Sequence, residues 1–391
     1  MDIGEPNAAP AKRDLRIDFF RGIALYMIVV DHIPNVPLNR FTYSRLGLSD
    51  AAEIFVFLSG ISCGIVFSRL LFREDVGGLA RALGKRTLQI YAYYLLASLV
   101  TIAIIAAGRE LLTIPVNQQA FIDLNQEPLS AILSAIRLTS PPELPGILVL
   151  YLQLTAVAVP AFLLSSANGY KSAVIASGVI WAFSQAYPDI LPHLADHSYF
   201  NPLAWQFLFC IGMFIGTSYT TGASPVQHLQ TNGLLTAAWA FVILELSYRL
   251  GLVVTHKLNV DWLMLTDATL RHMKENLSPL RLLHFLSVAL LVATYVKKDN
   301  PVLTWPGASV VIKSGRASLQ VFCLGAILTV LLNLFVAVER PIVIERLALD
   351  CAAILLIGLV ATLLMRSRAS RRQAPANPEL TIADPQAKGL L

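Results

Sequence analysis

The stretch "DFFRGIALYMIVVDHIP", residues 18–34, is apolar enough to cross a bilayer, yet it carries Asp18, Arg21, Asp31 and His32. Ionisable side chains at membrane depth are costly and normally line a cavity or pair with one another. The same segment therefore bears on both fold and function. Composition identifies the solvent: only 14% of the 391 residues are charged and the mean hydropathy is +0.62, whereas about a quarter of residues are charged in soluble domains.

Windows long enough to span a hydrocarbon core occur at about 17–34, 51–71, 87–107, 146–165, 172–188, 201–219, 233–253, 280–296, 316–337 and 346–366. The expected fold is all-α, a polytopic integral membrane protein with about ten transmembrane helices. Polar, Pro- and Ala-rich tails flank it, so the predicted organisation is a flexible tail over 1–16, a membrane domain over 17–366 and a second flexible tail over 367–391. No A-x-A-like site follows the first apolar run, which argues against a cleaved signal peptide.

The four cysteines, Cys63, Cys210, Cys323 and Cys351, lie in apolar windows without ligand-like spacing, so they read as buried small hydrophobes and no metal site is expected. The net charge of +5 is spread over short loops, the pattern of membrane topology and not of nucleic-acid binding. Lys and Arg concentrate in the N-terminus, in the segment from Arg69 to Arg86, around Lys297 and Lys313, and after Arg366. That asymmetry places both termini in the cytoplasm and the loop from Gly108 to Glu143 outside.

In this orientation Arg21 lies toward the inner end of the first span and His32 at its outer end. They are 11 residues apart, almost three turns, so they share a face about 16 Å apart along the axis. Asp18, three residues before Arg21, can pair with it. Asp31 is a neighbouring carboxylate but points about 100° away from His32. Arg21 also fits a snorkelling interfacial anchor.

Two more spans bring charge to the level of His32. "DAAEIFVFLSG" places Asp50 and Glu53 at the outer face, and "SPLRLLHFLS" places Arg281 and His284 three apart on one helical face. A near-neutral base, a carboxylate and a cation are what general acid/base chemistry on an anionic substrate needs. An interface anchor for Arg281 and His284, and a capping role for Glu53, are the plainer alternatives.

"RGIALYMIVVDH", with Arg followed by His in an Arg-x10-His spacing, together with "AAEIFVFLSG", "FNPLAWQFLFCIG" from Phe200, "NLSPLRLLHFLS" from Asn276 and "GRASLQVFCLG" from Gly315, resembles the OpgC-type glucan succinyltransferases within the membrane acyltransferase superfamily. The fourth window reads "GILVLY", Gly146–Tyr151, where the family pattern resembles "DILPLY", and it keeps Tyr151. The resemblance implies transfer of a succinyl or related acyl group from cytoplasmic acyl-CoA to a periplasmic glucan at the bacterial inner membrane. It implies no bound cofactor, acyl-CoA (succinyl-CoA) being a co-substrate, and membrane lipid, glucan and acyl donor as partners; oligomeric state is left open.

On that resemblance His32, Glu53 and Asp31 form the catalytic set, with Glu53 holding the His32 ring. Arg21, Arg86, Arg316 and Ser318 would bind the donor. Arg281, His284, Tyr151, Asn201, Trp205 and Gln206 would contact acyl group or acceptor, with Arg281 meeting the succinyl carboxylate. A proton-coupled transporter of an anionic solute or glycan, using the same ionisable residues, is the alternative.

Overall fold

A computed structural model describes residues 13–33, 37–71, 73, 75–112, 128–139, 141–142, 144–165, 170–187, 199–220, 227–257, 267–339 and 341–373. The regular elements among them are all helical: α1 (Leu15–His32), α2 (Tyr43–Leu46), α3 (Ala51–Leu71), α4 (Val76–Leu112), α5 (Pro128–Arg137), α6 (Gly146–Gln153), α7 (Val159–Leu164), α8 (Tyr170–Ala186), α9 (Pro202–Thr220), α10 (Asn232–Lys257), α11 (Asp267–Glu275), α12 (Pro279–Tyr295), α13 (Pro306–Arg316), α14 (Ser318–Glu339) and α15 (Val343–Gln373), with short 3₁₀ turns between some of them.

Each of the ten apolar windows falls on a helix, but ten spans is more than length and apolarity support. Six segments are long and apolar enough to cross a membrane, and α11 with α12, bent by 65°, would make a seventh. Helix α1 carries Arg16, Asp18, Arg21 and Asp31, and α8 has only 17 residues. Large apolar side chains such as Leu88, Ile175, Leu244 and Leu355 are exposed around the bundle, the face that lipid would cover. This is a multi-pass membrane protein.

Helix extends a few residues past the expected edges of the membrane domain. Helix α1 begins at Leu15, with the Asp14 carboxylate accepting from the Arg16 amide as its N-cap, and α15 continues to Gln373. Helix α1 stops where Ile33 turns extended, as the residue before Pro34 should. Residues 1–12 and 374–391 of the tails, and residues 113–127, 140 and 143 of the Gly108–Glu143 loop, lie outside the described residues. The fourth window is interrupted: a π turn over Leu154–Ala158 joins α6 to α7 and widens the backbone just before Pro160, whose ring cannot fit a regular turn.

Cysteine placement departs from expectation at one position. Cys210 and Cys323 are buried and Cys63 is half-buried, but Cys351 is exposed on α15, on the lipid-facing side with Leu355.

The centre of the bundle is the α3–α9 pair. Gly60 and Gly64 of α3 face Gly212 and Gly216 of α9, and a Cβ on any of them would collide with backbone across the interface: Phe209 and Met213 carbonyls in one direction, Phe57 and Ile61 carbonyls in the other. Two small-xxx-small stripes let the backbones touch, which is how membrane helices gain packing energy without a hydrophobic driving force. Gly212→Val should therefore wedge α3 from α9, cost at least the roughly 1–3 kcal/mol of an overpacked core, and reduce the monodisperse fraction in detergent chromatography; an unchanged elution profile and melting temperature would remove this interface from the account.

The bend between α11 and α12 is fixed by donors from neighbouring helices. Leu277, fully buried, has φ of 43°, a strained value for a branched residue. The carbonyls freed at this bend are satisfied by the Trp205 indole, which donates to Lys274 and Glu275 at 3.2 and 3.1 Å, by Trp181 to Leu277 at 3.0 Å, and by Gln185 to Asn276 at 2.7 Å. In an apolar surrounding such carbonyls must find partners within the protein.

Candidate active site

Polar side chains gather at the two ends of α1. At the first end the Asp18 carboxylate, 1% exposed, accepts from Arg13 Nε and Nη2 at 2.7 Å each and from Arg316 Nε at 3.2 Å, while Arg21 Nη1 stands 3.9 Å away. The expected Asp18–Arg21 pair is thus secondary, because two better-placed guanidinium groups reach the carboxylate first. Arg21 instead crosses to α3, donating to the Leu58 carbonyl at 2.8 Å and to the Ser62 hydroxyl at 2.5 Å.

Arg21 Nε and the Tyr151 hydroxyl are buried without hydrogen bonds, and Arg21, Tyr151, Cys63 and Arg86 lie within electrostatic reach of one another. Tyr151 therefore belongs with Arg21 and not with the acceptor residues. Next to this group a polar cavity of about 130 Å³ is lined by Arg86, Gln89, Arg316, Ser318, Leu319, Gln320 and Arg368. Three of the four residues assigned to the donor share one wall. Arg316 closes α13 and Ser318 opens α14, separated by Ala317. Arg368 adds a third guanidinium that sequence reasoning missed, since it sat in what read as a basic tail. The contact of Asp18 with Arg316, and of Arg316 with the Arg368 cavity, also puts the start of α1 and the end of α15 on one face of the bundle.

At the other end, His32 Nδ1 lies 2.7 Å from the Ile28 carbonyl. A carbonyl only accepts, so Nδ1 carries a proton and Nε2 is the ring nitrogen turned away from this bond. Helix α14 holds this end through Asn333, which donates to the His32 carbonyl at 3.2 Å. Asp31 accepts from the Thr42 hydroxyl.

Glu53 does not hold the His32 ring, which corrects the sequence expectation. Its Oε1 pairs with Arg281 Nε at 2.7 Å and Nη2 at 2.6 Å, and its Oε2 accepts from the Asp50 amide at 2.9 Å. Asp50 in turn accepts from the Ala52 amide at 2.8 Å, so Asp50 and Glu53 cap the start of α3 reciprocally. Lys274 Nζ and Arg281 Nη2 reach Asp50 at 2.9 and 3.2 Å. Burial works against the Asp50 charge, but these two cations more than offset it and hold its carboxyl far below the usual range. Two carboxylates and two cations form a closed, neutral cluster. Arg281 already grips an internal carboxylate, so the expectation that it meets a succinyl carboxylate is corrected as well.

Asn201, Trp205 and Gln206 are likewise engaged internally. Trp205 is fully buried; Asn201 donates to Asn276 Oδ1 at 2.9 Å and caps α9 through the Leu203 amide at 3.0 Å; Gln206 bonds the Ser177 hydroxyl and carbonyl. They lock α9 to α8 and to the α11–α12 bend. His284 is 2% exposed and faces Ser49, Tyr43 and Glu245. Sequence spacing could not reveal Ser49, Tyr43 or Glu245 as its surroundings, because each comes from a different element.

Fold and geometry together define a multi-pass helical membrane protein with a basic cavity at one end of its first helix and a histidine, its Nδ1 held by a backbone carbonyl, at the other. Residues 13–369 match the family described as OpgC protein, and the chain belongs to that family. No curated protein matches it. Membership supports a glucan-modifying, acyltransferase-like role.

Proposed function

We propose that the protein transfers a succinyl or related acyl group from cytoplasmic acyl-CoA to a hydroxyl of a periplasmic glucan at the inner membrane, with both termini cytoplasmic. The observation that carries this reading is the division of labour along α1: Arg86, Arg316 and Ser318 around one anion-sized cavity near Arg21, and His32 about 16 Å away with its Nδ1 held by a backbone carbonyl. Guanidinium groups suit phosphate, which they bind as planar forks. The donor's phosphates sit at the arginine end, its extended arm follows α1, and its thioester reaches the outer end. There His32 Nε2 takes the proton from the attacking glucan hydroxyl, the ring held by the Ile28 carbonyl and not by Glu53.

The positive charge at the Arg13, Arg316 and Arg368 face agrees with a cytoplasmic location of that face. The deciding measurement is the mass of periplasmic glucans from cells with and without this chain. A shift of one succinyl unit per modified hydroxyl is expected; identical masses would overturn the reading, and a shift by another acyl mass would reassign the donor.

A further inference from the structure

Resting on that acyl-transfer reading, we propose that Ser49 is a nucleophile that carries the acyl group between donor and glucan, activated by His284 with Glu245 as its positioning residue. Ser49 is fully buried in the connection between α2 and α3, His284 stands on α12 and Glu245 on α10. Three separate elements therefore converge on one imidazole.

Hydrogen bonding fixes the tautomer of His284. Ser49 places both its backbone N–H, at 3.3 Å, and its Oγ, at 2.7 Å, on His284 Nδ1. A backbone N–H can only donate, so Nδ1 carries the lone pair and the ring proton is on Nε2. Nε2 faces Glu245 Oε2 at 3.6 Å. The hydroxyl of Ser49 thus points its proton at a base whose far side faces a carboxylate, the order of groups used in nucleophile–base–carboxylate catalysis.

Two neighbours complete the arrangement. The Tyr43 hydroxyl stands 2.6 Å from Ser49 Oγ, and its ring stacks on the imidazole at 5.7 Å. Burial, together with the Glu53 and Asp50 carboxylates, pushes the Tyr43 phenol up, so it remains a neutral donor that can stabilise developing negative charge at Ser49. Gly47 lies so close that a Cβ there would strike the His284 ring, so only glycine lets the loop close over it.

The position suits the relay. Ser49 directly precedes Asp50 of the cation cluster, and Thr42, next to Tyr43, donates to Asp31 beside His32. In the first step Ser49 Oγ attacks the thioester carbon, its proton passes to His284 Nδ1, and the carbon–sulfur bond breaks with CoA leaving as thiolate. In the second a glucan hydroxyl attacks the Ser49 ester and gives its proton to His32 Nε2. The ester bond breaks, and Ser49 Oγ recovers its proton from His284. His32 then releases its proton to water, where the CoA thiolate takes one up.

The test uses the unaltered full-length protein in vesicles with labelled succinyl-CoA. Without glucan, free labelled CoA should exchange into the succinyl-CoA pool, and peptide mass spectrometry should find a succinyl adduct on Ser49. Ser49→Ala should abolish exchange and lower transfer by on the order of 10²-fold or more, while Ser49→Cys should accumulate a hydroxylamine-sensitive thioester. Normal transfer to glucan without exchange or adduct, or an adduct on a different residue, would overturn the relay while leaving acyl transfer intact. Absence of any acylated glucan from the wild type would instead defeat the acyl-transfer reading beneath it.

Discussion

His32→Gln lowers acyl transfer by on the order of 10²-fold or more, the usual scale for losing a general base, while the protein remains in the membrane at normal abundance. The side chain makes one hydrogen bond, to the Ile28 carbonyl of its own helix, and is half-buried at the helix end. A glutamine amide can donate to the same carbonyl, so the fold loses little, yet no lone pair of comparable basicity remains where Nε2 was. Arg21→Gln offers the contrast. Its proposed work is on the donor side, so raising the succinyl-CoA concentration should restore part of the rate, whereas no donor concentration should rescue His32→Gln. Initial rates in vesicles over a range of donor separate the two, and full activity in His32→Gln would end its role as base.

Glu53→Ala should be the most destabilising single substitution in the polar cluster. Glu53 is fully buried and Arg281 is 7% exposed, and each supplies most of the other's charge compensation. Removing one partner of a buried pair strands the other charge, which costs about 3–5 kcal/mol. The same change also opens the reciprocal cap at the start of α3, adding about 1 kcal/mol. Thermal unfolding in detergent should show a large drop for Glu53→Ala and for Arg281→Ala. The double change Glu53→Met with Arg281→Met should recover much of it, since apolar side chains of similar volume replace a buried ion pair at small cost. Equal stability of Glu53→Ala and wild type would return Glu53 to the catalytic set from which its pairing with Arg281 removes it.

The arginine-rich end of α1 was largely legible in the sequence. Arg86, Arg316 and Ser318 were named together, and they share a cavity. A positive-inside pattern collects basic residues at one membrane face, and there a small set of charges has few places to go. Arg368 escaped because a basic segment at the end of the last span reads as a tail, while the helix continues to Gln373 and carries the side chain back to the bundle.

The outer end was legible only in depth. Hydropathy and helical rise place His32, Glu53, Arg281 and His284 near one level, and that is all a 3.6-residue period can give: axial position and the face a residue occupies on its own helix. Which faces meet is decided by how helices pack. Glu53 finds Arg281 across 228 residues, Ser49 finds His284 across 235, and Asp18 finds Arg316 across 298. The sequence by itself determined that the chain is a helical membrane protein, where its helices fall, and which end of α1 holds the arginines. Only the tertiary structure decided that Glu53 is tied to Arg281, that a backbone carbonyl orients His32, and that Ser49 meets the His284 ring. The rotation of each helix about its axis is fixed by contacts such as the glycine stripes of α3 and α9, and those contacts lie between segments distant in sequence, where no local spacing records them.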